Sequence, residues 1–238
     1  MTFEISPRIA LAYPDLRIGV VVASGIVNSG QDAELTSITE RCTAEFRKLH
    51  TTEDILEHTN VVAWRNTYRS FGVNPKKHVP TAEAFCRRIA KGGAFPWISR
   101  AVNSYLLAEL EFLLPFGGYD LDLIDGGITL RYSPGGEAFT PLGADPGSAA
   151  EVTQADEIVY ADSTRVLTRS WNRKDAECAK ITEASRNIAL FTEAACATIP
   201  EADVIAAVER TREYLIRFCG GTVRVATIES AKQTTLEL

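Results

Sequence analysis

The spacing of apolar residues changes once along this chain, and that change leaves few architectures open. Over residues 97–114 apolar residues recur at helical intervals, with Val102, Leu106, Leu110 and Leu113 in one stripe. From Gly117 the interval is two: Leu121 and Leu123 alternate with Asp120 and Asp122, then Ile128, Leu130 and Tyr132 with Thr129 and Arg131. The first interval buries one side of a helix and the second one face of a strand. Helices early, strands in the middle and a closing helix–strand pair predict an α+β fold, with helices packed on a largely antiparallel sheet.

Capping and breaking residues divide the segments. Residues 8–27 read as early strands, with Arg17-Ile18-Gly19-Val20-Val21-Val22-Ala23 the buried one. Helices are predicted over 32–48, from the Thr51-Thr52-Glu53-Asp54 cap to about Ser70, and over 82–91 after Thr81. Pro96 introduces the helix over 97–114, on which Asn103 faces packed surface. Asp125-Gly126-Gly127 is a hairpin turn, and residues 137–140 read as a return strand after the turn at 133–136. Residues 141–156 read as a surface loop, 157–161 and 165–171 as strands, 201–219 as an amphipathic helix and 222–228 as a last strand before a polar, frayed tail. No linker or repeat interrupts the 238 residues, so one domain over 1–238 is expected.

Composition excludes several classes. No apolar run approaches 18 residues and the first residues lack a signal-peptide pattern, so a cytoplasmic protein without membrane partners is expected. Five scattered cysteines, never in Cys-x-x-Cys spacing, fit free thiols better than zinc ligands or disulfides. A net charge of −6 argues against a general nucleic-acid coat, and no DNA partner is expected. Between Asn74 and Arg100, however, Lys76, Lys77, Arg87, Arg88, Lys91 and Arg100 face one acid, Glu83. That stretch is either a solvated helix face or a patch that contacts phosphates.

The segment Gly127-Ile128-Thr129-Leu130-Arg131-Tyr132-Ser133-Pro134-Gly135-Gly136-Glu137 places a cation and a carboxylate beside a glycine turn. Tight glycine turns let another molecule approach the backbone. Glu137 is either a substrate group or the ion-pair partner of Arg131. His50, His58 and His78 have no Ser or Cys partner at diagnostic spacing, so no catalytic triad is read.

Several ordered motifs resemble one family. They are Trp64-Arg65-Asn66-Thr67-Tyr68-Arg69-Ser70-Phe71-Gly72-Val73-Asn74-Pro75, Thr81-Ala82-Glu83-Ala84-Phe85-Cys86-Arg87-Arg88, Pro115-Phe116-Gly117-Gly118-Tyr119-Asp120-Leu121-Asp122, the Arg131–Glu137 hairpin, Val159-Tyr160-Ala161-Asp162 and Arg169-Ser170-Trp171-Asn172-Arg173. Together, over about residues 55–191, they are similar to freestanding B3/B4 domain proteins, relatives of the editing domain of the phenylalanyl-tRNA synthetase β subunit. Two positions depart from the pattern: Asn103 stands where an aspartate is expected and Leu106 where an asparagine is expected.

The resemblance implies a trans-editing aminoacyl-tRNA deacylase that needs no metal or cofactor. Its partner would be the acceptor end of a mischarged tRNA. Shape alone separates near-isosteric amino acids only about 10- to 200-fold, so a second, hydrolytic site is useful. Glu137 would bind the α-ammonium or orient water, and the Gly135 and Gly136 amides would hold the oxyanion. Tyr68, Asn103, Leu106, Tyr119, Asp120, Arg131, Asp162, Trp171 and Asn172 are the candidates for the amino-acid pocket. The aspartates suit a cationic side chain such as that of an arginine analogue, for example canavanine. Lys76, Lys77, Arg87, Arg88, Lys91 and Arg100 would guide the tRNA. Two readings stay open beside this one: a tRNA-binding module without catalysis, and a hydrolase or binder of a free amino-acid derivative.

Overall fold

The computed structural model describes residues 1–145 and 149–238, so residues 146–148 of the expected 141–156 loop lie outside the described residues. In chain order the elements are β1 (Thr2–Ile5), α1 (Pro7–Ala12), β2 (Arg17–Ser24), α2 (Ala33–Leu49), α3 (Thr52–Glu57), α4 (Thr59–Ser70), α5 (Thr81–Ala90) and α6 (Arg100–Phe112). There follow β3 (Phe116–Asp120), β4 (Ile128–Tyr132), β5 (Ala138–Phe139), β6 (Glu151–Val152), β7 (Ile158–Ala161), β8 (Val166–Arg169) and β9 (Lys174–Asp175). The chain closes with β10 (Asn187–Ala194), α7 (Glu201–Cys219), β11 (Thr222–Glu229) and β12 (Thr235–Glu237). Among the described residues, no helix is long and apolar enough to cross a membrane.

The fold is α+β, as expected. One sheet has the order β12-β1-β4-β7-β8-β9 and a second β11-β2-β10-β3. Among the described residues every strand pairing is antiparallel except β1 with β4, where Phe3 lies opposite Ile128. The main core fills the space between the sheets. There Phe3 meets Phe191 at a centroid distance of 5.0 Å, and Tyr160 meets Phe191 at 5.6 Å. Each such fully buried side chain contributes about 2 kcal/mol of burial energy. Helices α6 and α7 pack together on the outer side of the four-stranded sheet. Gly19 on β2 admits α7: a Cβ there would stand 3.0 Å from both Thr192 Cγ2 and Val204 Cγ1.

Local chemistry sets many boundaries. The Asp32 carboxylate accepts the Glu34 and Leu35 amides at 3.0 Å and starts α2, and Thr51 and Asp54 form a capping box on α3. Several expectations are corrected. Residues 7–12 are a helix, because Pro7 occupies a first-turn position where its missing N–H costs nothing. The helix expected from Thr52 to Ser70 is two, divided at His58, whose extended backbone ends α3 and caps α4. Helix α6 begins at Arg100 because Ser99, extended, caps it; residues 94–99 are loop. Residues 121–123 form a 3-10 turn capped by Asp120. The strand after the glycine turn pairs with β6 inside the expected loop. The tail is not frayed: β12 pairs with β1, Leu236 opposite Phe3.

Candidate functional site

Helix α6, the edge strand β3 and the loop after β9 enclose a cavity of about 350 Å³. Val102 and Tyr105 face it from α6, Gly118 and Tyr119 from β3, and Asp175 and Ile181 from the loop side. Gly118 is required by the sheet: a Cβ would lie 2.7 Å from the Ala189 carbonyl oxygen. Ile98 and Leu142, 50% and 53% exposed, form an apolar lip.

A hydroxyl relay holds the one aspartate in this wall. The Tyr119 hydroxyl bonds Thr168 Oγ1 at 2.7 Å, and Thr168 donates to Asp175 Oδ1 at 2.7 Å. No cation pairs with Asp175 among the described residues. Burial raises its pKa despite the Thr168 hydrogen bond. Behind it lie Glu109 and Glu193, 1% and 3% exposed. Burial holds Glu109 well above the ordinary carboxylate range, and its Oε1 has no partner among the described residues. The Tyr105 hydroxyl makes no hydrogen bond among the described residues and lines the cavity.

A second network anchors the chain leading to Asp175. The Tyr68 hydroxyl donates to Asn172 Oδ1 at 2.8 Å, and Asn172 Nδ2 donates to Glu193 Oε2 at 3.1 Å. Tyr160 donates to Glu193 Oε1 at 2.6 Å, and Thr81 to the Asn172 carbonyl at 2.6 Å. Just before, Ser170 and Trp171 are both left-handed, at φ 50° and 68°. Such residues persist where surrounding contacts hold them, here the fully buried Trp171 ring and the Asn172 amide.

Burial pushes the Glu193 carboxyl up to about 7, against the hydrogen bonds of Tyr160 and Asn172, from an ordinary value of 4.5. Between those pH values the folded state holds a proton that the unfolded state has released, so this residue's contribution to stability falls as pH rises. Glu193→Gln is expected to remove that part of the slope. Chemical denaturation of wild type and variant from pH 4.5 to 7 checks it, and parallel curves would refute it.

The hairpin residues predicted for chemistry are satisfied among themselves. Arg131 holds Glu137 with two bonds, at 3.0 and 2.6 Å, and Ser133 Oγ donates to Glu137 at 2.5 Å. These bonds hold the Glu137 carboxyl below its ordinary range. The Gly135 amide donates to Ser133 Oγ and the Gly136 amide to the Thr153 carbonyl. The structure therefore joins Glu137 and Arg131 in an ion pair across the glycine turn, and neither lines the cavity. Glu137→Ala is expected to lower stability by about 1–3 kcal/mol, because half-buried Arg131 loses its partner. An unchanged melting temperature would contradict this.

Among the other predicted pocket residues, Tyr119 lines the cavity, while Tyr68 and Asn172 stand behind it in the second network. Asp120 caps the turn through the Asp122 amide and accepts from Ser185 at 2.5 Å. Asp162 binds Arg165 and the amides of Asp125, Thr164 and Arg165. Trp171 is core, edge-on to Trp64 at 5.5 Å. Asn103 ties down the preceding loop, and Leu106 packs with Phe46 and Leu110 on another side of α6.

The basic stretch is also divided. Arg100 straps Gly30 and Phe218 carbonyls, and Arg87 shares buried Glu83 with Arg65, whereas Lys76, Lys77, Arg88 and Lys91 are exposed. Sequence reasoning missed Tyr105, Glu109, Asp175 and Glu193. Glu193 had a readable signal, a carboxylate inside the apolar run 188–195. Asp175 had none: it stands in a polar stretch without apolar periodicity, and its partner Thr168 is identified only by the pairing of β8 with β9.

The family model for the B3/4 domain matches residues 63–220, well over half of the chain. No curated protein matches. Among solved structures the chain is similar to an N-terminal fragment of the phenylalanyl-tRNA synthetase beta-subunit from Pyrococcus horikoshii, with 12% identity and a TM-score of 0.46. That alignment covers 93% of this chain and 50% of the fragment, so the chain spans half the fragment's length.

Proposed function

The chain belongs to the B3/4 domain family, and on that premise we propose that it hydrolyses the ester joining a mischarged or non-protein amino acid to tRNA. The side chain accepted is cationic, as in an arginine analogue such as canavanine. One observation carries this reading: Asp175 stands in the cavity wall with a hydroxyl partner and no paired cation among the described residues, because Lys180 of the same lining pairs with Glu177. A half-buried carboxylate without a counter-charge is held at a cost, and an ammonium or guanidinium supplies that charge with a strong, charge-assisted hydrogen bond.

In this reading the attacking group is water: among the described residues the lining has no Ser, Cys or His, Lys180 is paired with Glu177, and Thr182 Oγ1 accepts the Ala184 amide. A terminal ribose hydroxyl of the tRNA can take part in activating it. Asp175 fixes the side chain, and the Tyr105 hydroxyl donates to the ester or to the water. The protein's contribution is then mainly positioning.

A deacylation panel tests this, using tRNA charged with arginine, canavanine, lysine and phenylalanine. Release of the cationic amino acids is expected, and no release from any of them would sink the reading. Binding of tRNA without release would favour the module without catalysis. For the tRNA itself, the exposed Lys76 and Lys77 are the contacts expected, since Arg87 and Arg100 are engaged within the protein. Reversing both lysines to glutamate should weaken binding by roughly tenfold and flatten its salt dependence; unchanged binding isotherms would count against this face.

A further inference from the structure

Basic side chains from three parts of the chain meet on one surface. Arg69 comes from the end of α4, Lys76, Lys77 and His78 from the loop before α5, and Arg173 from the turn before β9. All are exposed, and none has an ion-pair partner among the described residues. Acids on neighbouring elements are engaged elsewhere: Glu83 pairs with Arg65 and Arg87, and Glu151, in reach of Arg173, pairs with Arg169 and Lys174. The chain as a whole carries a net charge of −6. An uncompensated cluster of cations within it is a local anion-attracting field.

The surface is fixed in place before any ligand arrives. Asn74 Oδ1 accepts the Lys76 amide at 2.9 Å, and the Asn74 carbonyl accepts the Lys77 and His78 amides at 3.1 and 2.9 Å. Pro75 and Pro80 bracket the loop and are buried. The Thr81 hydroxyl donates to the Asn172 carbonyl and Tyr68 to Asn172 Oδ1, so Arg173, the next residue, emerges beside the loop. Arg69 and Lys76 line a common recess of about 410 Å³. Such preorganisation lowers the ordering cost of binding.

Of the three histidines, His58 caps α4 through Nδ1 and His50 lies against the Phe46 ring at 4.5 Å. His78 stands instead among cations. The charged groups that act on it are Arg173 and Lys77, and no carboxylate does so among the described residues. Desolvation first, then those two charges, lower its pKa from an ordinary 6.5, so the free protein holds it mostly neutral at pH 7.

We propose that Lys77, His78 and Arg173 together hold one backbone phosphate of the tRNA acceptor strand, and that His78 takes up a proton as it does so. A phosphate between the three groups reverses the sign of the field on the imidazole and favours its charged form. Affinity is then greatest at low pH and falls as pH rises through the His78 pKa of the complex. The identity of the anion rests on the proposed tRNA substrate. Arg173 stands two residues before Asp175, so their Cα atoms are at most about 7 Å apart. The phosphate contact thus lies beside the carboxylate proposed to hold the amino acid, which suits an aminoacyl strand better than an acidic peptide or a lipid surface.

Fluorescence anisotropy of labelled, uncharged tRNA at constant ionic strength from pH 5.5 to 8 tests this. Wild-type affinity is expected to fall about 3- to 10-fold across that range, since a pKa shift of one unit on binding is about tenfold. His78→Gln should remove the fall. Arg173→Gln should weaken binding about 3- to 10-fold and lower the slope of its salt dependence by roughly 1. Wild-type binding that ignores pH, a fall that persists in His78→Gln, or unaltered affinity in Arg173→Gln would overturn the proposal. The expected profile in a protein that releases no amino acid from any charged tRNA would leave the phosphate contact standing and remove the deacylase reading. Release with a flat binding profile would do the reverse.

Discussion

Replacing Asp175 by asparagine is expected to lower kcat/KM for a cationic aminoacyl ester about 10- to 100-fold while leaving the protein folded. Asparagine keeps the shape and can still accept the Thr168 hydroxyl, now 2.7 Å from Oδ1. What it loses is the charge that meets the substrate cation. A hydrogen bond to a charged group is worth about 1.5–3 kcal/mol, and each 1.4 kcal/mol is about tenfold. Because burial already raises the Asp175 pKa, its carboxylate is held at a cost. The variant's melting temperature should therefore equal or exceed that of wild type. Kinetics with esters of arginine and of a neutral amino acid separate the cases. An equal loss on both esters would mean that Asp175 serves the cavity's shape rather than the substrate's charge.

Asn172→Ala is the substitution expected to cost most stability. It leaves the Tyr68 hydroxyl without its acceptor in a fully buried setting and Glu193 Oε2 without its donor. Two unsatisfied buried groups cost about 1–3 kcal/mol each. At about 2–4 °C per kcal/mol for a chain of this size, the melting temperature should fall by about 10 °C. The loss also frees the turn in which Ser170 and Trp171 are left-handed, so deacylation should fall with stability. Calorimetry settles the first part; a shift under 2 °C would mean the network is dispensable. Activity measured well below the new melting temperature settles the second.

Helix α6 explains much of what could and could not be read in advance. Its existence followed from periodicity, but the face that matters did not. The helix is buried almost all round, from Ala101 to Ser104 and again from Leu107 to Leu110. An apolar stripe marks a face only when the opposite face is polar. Periodicity therefore could not separate Asn103 and Leu106, the positions singled out, from Val102 and Tyr105, which line the cavity against β3. The two readings of the glycine turn stayed open in the sequence for another reason. Arg131 and Glu137 look like functional residues in isolation, and only the fold shows that they bind each other, with Ser133 and Thr153 closing the turn.

By itself the sequence determined what depends on neighbours along the chain. Caps at Asp32 and Thr51, the breaks at Gly92 and Gly220, the change of period after Leu114 and the order of the family motifs are all local, so the α+β class and the family were legible. The tertiary structure alone decided which polar groups meet. Tyr119 and Thr168 are 49 residues apart in the chain, and Tyr68 and Asn172 are 104 apart. Each needs its partner only because both are withdrawn from water, and that withdrawal exists only once the two sheets and α6 have closed on one another.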